Sequence, residues 1–255
     1  MKPKILIFDV ETSPIVASVW SLWDQNVGLN QIIKDWQLIS FAAKWLDEKK
    51  VHQFDLRDGI TKSNEYILVG KLWYFLNEAD IVITQNGKAF DVKKAQAKFL
   101  EFKFKPTSSF QQIDTRLIAK KHFSFTSNRL EYMTDKFNTK YKKLKHNEYP
   151  GHELWNECLK GTKKAWNVMA KYNKYDVLAT EELYKRLIPY DNAVNFSLYQ
   201  DDTCSCGNKK FKKNGWCYTS TGRYQRYSCS KCGSELKSRI SDAKFRKPKL
   251  VGSRR

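Results

Sequence analysis

The sequence has no long apolar run. Within its 255 residues no stretch approaches the roughly 18 apolar positions a membrane-spanning helix needs, which excludes a helical membrane protein. The opening MKPKILIFDVET is charged at its start and has only a four-residue apolar run, too short for the core of a secretory signal, so a cytoplasmic location is expected. Internal repeats and low-complexity blocks are missing. Histidine is scarce: His52, His122, His146 and His152 are isolated, and no serine or cysteine is placed beside one as a nucleophile. Cysteine is almost absent from the first 200 residues, where Cys158 stands alone in a Trp- and Leu-rich, helix-like segment that suits a buried thiol. Acid falls well short of base, 27 Asp+Glu against 46 Lys+Arg, for a formal net charge of +19. What is present is a 41% hydrophobic content, too high for wholesale disorder and enough for a medium α/β domain with a small appendage, or for two modest domains.

Charge and cysteine are both distributed unevenly. Residues 201–255 hold 15 Lys/Arg against 4 Asp/Glu, more than half of the excess in about a fifth of the chain. A second basic run, from Arg116 to Lys145, is opposed only by Glu131 and Asp135. Such a balance favours a polyanionic partner, nucleic acid above all, over a merely alkaline protein. Five of the six cysteines, Cys204, Cys206, Cys217, Cys229 and Cys232, lie in the same C-terminal region. In a cytosolic chain thiols stay reduced, so close clustering reads as metal ligation rather than disulfides. The two shifts divide the chain into a domain over 1–195, a small domain over 200–240 and a basic flexible tail over 241–255.

Hydrophobic patterning predicts strands over Lys4–Val10, Val19–Trp23, Leu38–Leu46, Val51–Leu56 and Ile81–Gln85. It predicts helices over Ser63–Asn77, Phe90–Leu100, Ile113–Lys121, Arg129–Phe137 and Ala165–Leu187. Early antiparallel strands followed by alternating strand and helix suggest an α/β domain with a mixed sheet.

Three short motifs stand on these elements. Asp9 and Glu11 end an apolar strand two positions apart, so both carboxylates leave one face; two anions that close call for a cation between them, and hard divalent cations prefer oxygen ligands. NGKAFD, Asn86–Asp91, follows a strand and opens a helix, which places Asn86 where substrate contacts are usual in α/β sheets. The helix dipole alone also favours an acid at Asp91. YNKYD places Tyr172 and Asp176 four residues apart on one helical face, with Tyr175 offset toward packing.

In this order F-D-x-E-T, N-x-x-x-F-D and Y-x-x-x-D resemble the three exonuclease motifs of the DEDD superfamily, and more narrowly its tyrosine branch, which includes proofreading domains of family-B DNA polymerases. The stretch from His152 to Leu187 is similar to small predicted exonucleases related to those domains. The resemblance covers roughly residues 4–190. In the histidine branch a histidine stands five residues before the last aspartate; here that position is Lys171. The resemblance implies a ribonuclease H-like mixed β-sheet flanked by helices and a two-metal 3′→5′ exonuclease using Mg²⁺ or Mn²⁺. Asp9, Glu11 and Asp176 would hold one ion; Asp9 would also bridge to the other, with Asp91 joining directly or through water. Tyr172 would orient the attacking water, and Asn86 and Phe90 would hold the terminal nucleotide. Asp114, in IDTRL, is left outside the site with a structural role open to it. DNA, as a single strand or a 3′ end, is favoured over RNA. The alternatives on the same fold are a structure-specific endonuclease, an exoribonuclease or a binding protein without catalysis.

The C-terminal region reads C-S-C-G at 204–207 and C-S-K-C-G at 229–233, separated by a stretch that alternates as a hairpin does. Paired cysteines followed by glycine form knuckles, and four thiolates suit one tetrahedral structural Zn²⁺. The segment resembles the zinc ribbons of transposases and other DNA-binding proteins. Its first knuckle is C-x-C rather than C-x-x-C, so the ligands are Cys204, Cys206, Cys229 and Cys232, or Cys217 replaces one of the first pair. So short and charged a segment gains from a metal staple. Lys212, Lys213, Arg223 and Arg226, interleaved with aromatics, are the expected nucleic-acid contacts, with Tyr224 or Tyr227 the exposed ring that stacks on bases.

Overall fold

The strand that carries the first motif is the centre of the sheet. β1 (Ile5–Thr12) lies between β4 (Leu38–Trp45), antiparallel to it, and β6 (Ile81–Thr84), parallel to it. β5 (His52–Asp55) extends the sheet beyond β4, and β7 (Gln111–Asp114) extends it beyond β6, giving the order β5-β4-β1-β6-β7. This computed structural model describes residues 3–46, 48–144, 148–191, 202–219 and 222–242. The chain divides into two compact units, residues 3–184 and residues 185–255 with 1–2. The expected flexible tail lies outside the described residues except for positions 241 and 242.

In the larger unit Leu6, Ile7, Phe8 and Val10 are all buried, as a central strand covered on both faces requires. Helices supply the cover: α1 (Lys62–Glu78), α2 (Asp91–Glu101), α3 (Thr115–His122), α4 (Leu130–Lys136), α5 (Glu153–Leu159) and α6 (Lys163–Leu187). Thr61 caps α1 by accepting from Asn64 N at 3.1 Å. One core cluster joins Leu6, Phe8, Leu38 and Phe41 of the sheet to Leu68, Leu72 and Phe75 of α1 and to Trp166, Met169 and Tyr172 of α6. Two buried ion pairs pin helices to β4. Glu65 receives Lys98 Nζ at 3.0 Å and the Leu38 N–H at 2.8 Å; Lys44 Nζ meets Glu181 at 2.8 Å. Among the described residues no helix is long and apolar enough to cross a membrane.

Two expected elements are corrected. Residues 19–23 form no strand. They lie in an excursion between β1 and β4 whose only pairing is β2 (Val16–Ala17) with β3 (Ile32–Lys34), and apolar content there signals exposure rather than burial. Ile113 does not open a helix. It pairs with Ile83 in the parallel β6–β7 ladder, and α3 starts only at Thr115, after Asp114 has capped it.

In the smaller unit β8 (Phe211–Thr219) and β9 (Gly222–Cys229) form a hairpin, and β10 (Glu235–Lys237) pairs with β9. A bulge between Lys213 and Trp216, with Gly215 at φ 69°, resets the alternation of β8. Pairing then puts Lys213, Trp216 and Tyr218 on one face with Arg223, Gln225 and Tyr227. This three-stranded sheet with its cysteine cluster is compatible with a zinc ribbon. Tyr218 and Trp216 are the more exposed rings, at 64% and 36%, whereas the expected Tyr224 and Tyr227 are half-buried.

Candidate functional site

β6 pairs with β1 only from Ile5 to Ile7, so the rest of β1 runs past the end of its neighbour. The Val10 N–H left on that edge is taken by Asp91 Oδ1 at 3.0 Å, from the first residue of α2. Asp91 is thus held against β1 between Asp9 and Glu11, beyond any role at the helix dipole. From the other side α6 contributes Tyr172, Asn173 and Asp176. The carboxylates of Asp9, Glu11 and Asp176 converge, with one oxygen from each lying within 4.8 Å of the others. Asp91 and Asp176 are buried and Tyr172 is 5% exposed.

Several contacts that hold these groups join residues far apart in the chain. Asn173, fully buried, donates its amide to Asp9 Oδ2 at 2.6 Å, and Ser40 Oγ donates to Asn173 Oδ1 at 2.9 Å. Trp155 Nε1 donates to Glu11 Oε2 at 3.0 Å, and its ring meets Tyr172 edge-on with centroids 6.0 Å apart. Lys143 Nζ lies 2.5 Å from Asp176 Oδ2 and 4.4 Å from the centre of the Tyr172 ring. Asn173, Trp155 and Ser40 have no local signature in the sequence; Lys143 is indistinguishable there from its neighbours in the basic run.

Burial and crowding hold protons on the acids. Desolvation, then the charges of Asp91, Asp176 and Glu11, pushes Asp9 well above the carboxylate range. Desolvation and Asp176 push Glu11 to about 8. Desolvation pushes Asp91 to about 7 against two backbone N–H groups that favour its charge. Tyr172 is raised by burial and by Asp176, so its hydroxyl keeps its proton. Burial disfavours the Lys143 ammonium, but Asp176 and Tyr172 outweigh that and keep it charged. Three carboxylates thus converge beside one lysine, while Asp91, bonded to Val10 N, stands outside that cluster. A set of oxygen donors with surplus negative charge fits hard divalent cations, which would take the place of the protons.

Beside Glu11 opens a cleft of about 430 Å³, lined by Ser13, Pro14, Phe90, His152 and Trp155 as well as Glu11. Phe90, 38% exposed, is one wall of this cleft. Asn86 is different. It sits in a left-handed turn at φ 74°, and its Oδ1 accepts from Arg116 Nη1 at 2.5 Å. Asp114 organises that turn by accepting from the N–H groups of Asn86 at 3.0 Å, Lys88 at 3.2 Å and Arg116 at 3.0 Å, which gives it the structural role left open above. Gly87 is required next to it, since a Cβ there would lie 2.3 Å from Thr84 Oγ1.

In the smaller unit Cys204, Cys206, Cys229 and Cys232 bring four sulfurs within 4.8 Å of one another. Cys204 and Cys232 are 3.5 Å apart and Cys206 and Cys229 3.7 Å. Four sulfurs about 2.3 Å from a tetrahedral centre would be roughly 3.8 Å apart, so the spacing suits Zn²⁺ and is far too long for disulfides. Burial opposes the Cys229 thiolate, but the Cys232 N–H, the Asn208 amide and the Lys231 N–H outweigh it and bring the thiol down to about 6. Cys217 is not in this group and lies opposite Tyr224 on the hairpin.

The family model of the RNase H superfamily matches residues 28–188, more than half of the chain. That stretch includes the second and third motifs and begins after the first. Among solved structures, the family B DNA polymerase from the hyperthermophilic archaeon Pyrobaculum calidifontis is similar, with a TM-score of 0.51 and 18% identity over 74% of this chain and 25% of that one. The chain spans about a quarter of the polymerase's length, and the likeness is one of fold. No curated protein matches the chain. The mixed five-stranded sheet flanked by helices and the long match through it agree: this chain belongs to the RNase H superfamily.

Proposed function

We propose that the chain is a metal-dependent 3′→5′ exonuclease of the tyrosine-bearing DEDD type, acting on single-stranded DNA or DNA 3′ ends. The observation that carries this reading is the convergence of Asp9, Glu11 and Asp176 from opposite sides of one site, with Asp91 bonded between the first two. Asp9, Glu11 and Asp176 would hold one divalent cation, and Asp9 with Asp91 a second. Two Mg²⁺ or Mn²⁺ ions, when bound, would supply a water of lowered pKa and charge stabilisation at the departing 3′-oxygen. The residues do the rest. Tyr172, protonated and buried beside Asp176, orients the attacking water through its hydroxyl. Asn173 and Trp155 fix the rotamers of Asp9 and Glu11. Phe90 forms a wall for the terminal nucleotide, and Asn86, whose Oδ1 accepts from Arg116, is assigned to the same nucleotide on its motif alone.

In this reading residues 200–240 are a separate zinc ribbon with Cys204, Cys206, Cys229 and Cys232 as ligands. Lys212, Lys213, Arg223 and Arg226 engage phosphates there, with Trp216 and Tyr218 joining Tyr224 as stacking surfaces. Holding nucleic acid on the same chain raises its effective concentration at the nuclease unit. The test uses 5′-labelled linear and circular single-stranded DNA, and RNA, with Mg²⁺ or Mn²⁺ and Asp9→Ala as control. A ladder of shortening products on linear DNA, lost in Asp9→Ala, is expected. Retained binding without cleavage, or cutting of the circle, counts against the reading.

A further inference from the structure

The structure holds a set of exposed aromatic side chains that the site does not use. Between Ser13 and Gln37 the chain leaves the sheet as an arm, closed at its root by two hydrogen bonds of 2.9 Å, Ser13 N to Gln37 O and Gln37 N to Ser13 Oγ. Inside it the β2–β3 ladder and the bond from Ser18 N to Gln31 O at 2.9 Å keep the two limbs together. At the far end Trp20 is 99% exposed, Leu22 87% and Trp23 80%. Single exposed apolar residues need no explanation, but two nearly bare tryptophans on one ordered excursion mark a contact surface.

Two features say what the contact is. The arm is continuous with the candidate site, since Ser13 and Pro14 at its root line the cleft beside Glu11 and Phe90. At that root Trp36 carries the ammonium of Lys94 at 3.6 Å from its ring centre, and the same ammonium is 5.7 Å from the Phe90 ring. Lys98 Nζ also lies 4.5 Å from the centre of the half-buried Trp36 ring, so cations and aromatic rings meet beside the Phe90 wall of the cleft. Aromatic faces stack on bases of any identity while cations meet the backbone phosphates. The arm itself is nearly neutral, with Lys34 against Asp24 and Asp35, so it supplies stacking and α2 supplies charge. A net charge of +19 also repels a second copy of the chain and draws a polyanion.

We propose that the arm and the adjoining face of α2 guide a single-stranded nucleic acid to the cleft, with Trp36, Trp20 and Trp23 stacking on unpaired bases and Lys94 contacting phosphate. This deepens the nuclease reading and rests on it for where the strand ends. The test uses the full chain in divalent-free buffer with an oligo(dT) of about a dozen nucleotides carrying single 5-iodouracils. Irradiation should cross-link the oligonucleotide to peptides from residues 14–36, and Trp20→Ala/Trp23→Ala should abolish the cross-link at the far end. Trp36→Ala should weaken binding about 5- to 100-fold, with Trp36→Phe restoring most of it. Cross-links confined to other segments would overturn the proposal. So would a wild-type dimer in sedimentation that Trp20→Ala/Trp23→Ala dissociates, since the arm would then serve self-association. Cleavage without arm cross-links rejects the guide and leaves the nuclease standing; arm cross-links without cleavage under any divalent metal reject the nuclease reading alone.

Discussion

Replacing a site acid by its amide should stabilise the protein when no divalent metal is bound. Glu11→Gln is the cleanest case, because the amide oxygen can still accept from Trp155 Nε1, as Glu11 Oε2 does at 3.0 Å. Burial, then the charge of Asp176, raises the Glu11 pKa from 4.5 to about 8. Between those values the folded protein keeps a proton that the unfolded chain has lost. Stability therefore falls as pH rises from about 4.5 to about 8 and levels off above. At 1.36 kcal/mol for each pH unit the whole interval sets a ceiling of about 5 kcal/mol. Asp9, Asp91 and Asp176 share the repulsion and relax when one charge leaves, so a gain of about 1–3 kcal/mol at pH 8 is expected, or roughly 2–10 °C in melting temperature. Melting followed by far-ultraviolet circular dichroism reports mainly on the helices of the larger unit. Resin-treated buffer, rather than a strong chelator, spares the cysteine site. Glu11→Gln should melt above wild type at pH 8, with the gap closing near pH 5. Millimolar Mg²⁺ should reverse the order, because wild type gains ligation energy that the variant has lost. A variant that melts at or below wild type at pH 8, or a gap that ignores pH, would refute the reasoning.

Three further outcomes follow from the same contacts. Lys143→Met removes the counter-ion of Asp176 and should cost about 1–3 kcal/mol in divalent-free buffer, most of it regained with Mg²⁺; an equal loss with and without metal would show that Lys143 acts by packing alone. Asn173→Ala frees the Asp9 carboxylate from a buried amide and should lower Mn²⁺ affinity about 10-fold by calorimetry, and Asn173→Leu, which fills the space but cannot donate at any pH, should do no better. Cys229→Ser should take bound zinc from one per chain to none, and Cys217→Ser should leave it at one, as read by elemental analysis; loss of zinc in both would return Cys217 to the ligand set.

Three of the acids proposed to bind metal, Asp9, Glu11 and Asp176, were legible in the sequence because they obey local rules. Asp9 and Glu11 sit two apart on a strand, and Tyr172 and Asp176 four apart on a helix, so backbone periodicity alone decides that each pair shares a face. Asp91 was legible only through the order of the motifs, since its own position serves a helix dipole equally well. Its bond to Val10 N, available because β6 ends before β1 does, adds a tie to β1 that the dipole does not call for. The proposed zinc ligands were ambiguous for a similar reason. Spacing places Cys217 near the first knuckle in sequence, but its strand pairing sets it opposite Tyr224, away from the four converging sulfurs.

What escaped the sequence is what depends on two surfaces meeting. Val19–Trp23 has the composition of a strand, but composition reports whether a segment can be buried and leaves open whether anything is there to bury it; with no neighbour to pair, the same residues become an exposed arm. Ile113 errs in the opposite direction: helical spacing downstream drew it into α3, while its β-branched side chain was claimed by the parallel ladder with Ile83. Asn173, Trp155 and Lys143 reach their partners across 164, 144 and 33 residues, and no periodicity spans such distances. They also explain how Asp9, Glu11 and Asp176 can crowd together before any metal arrives, with Asp91 close by. An amide, an indole N–H and an ammonium each take one carboxylate, and raised pKa values cover the remaining repulsion with protons. Divalent ions entering such a site must release those protons, so metal affinity should climb with pH until Glu11 has titrated.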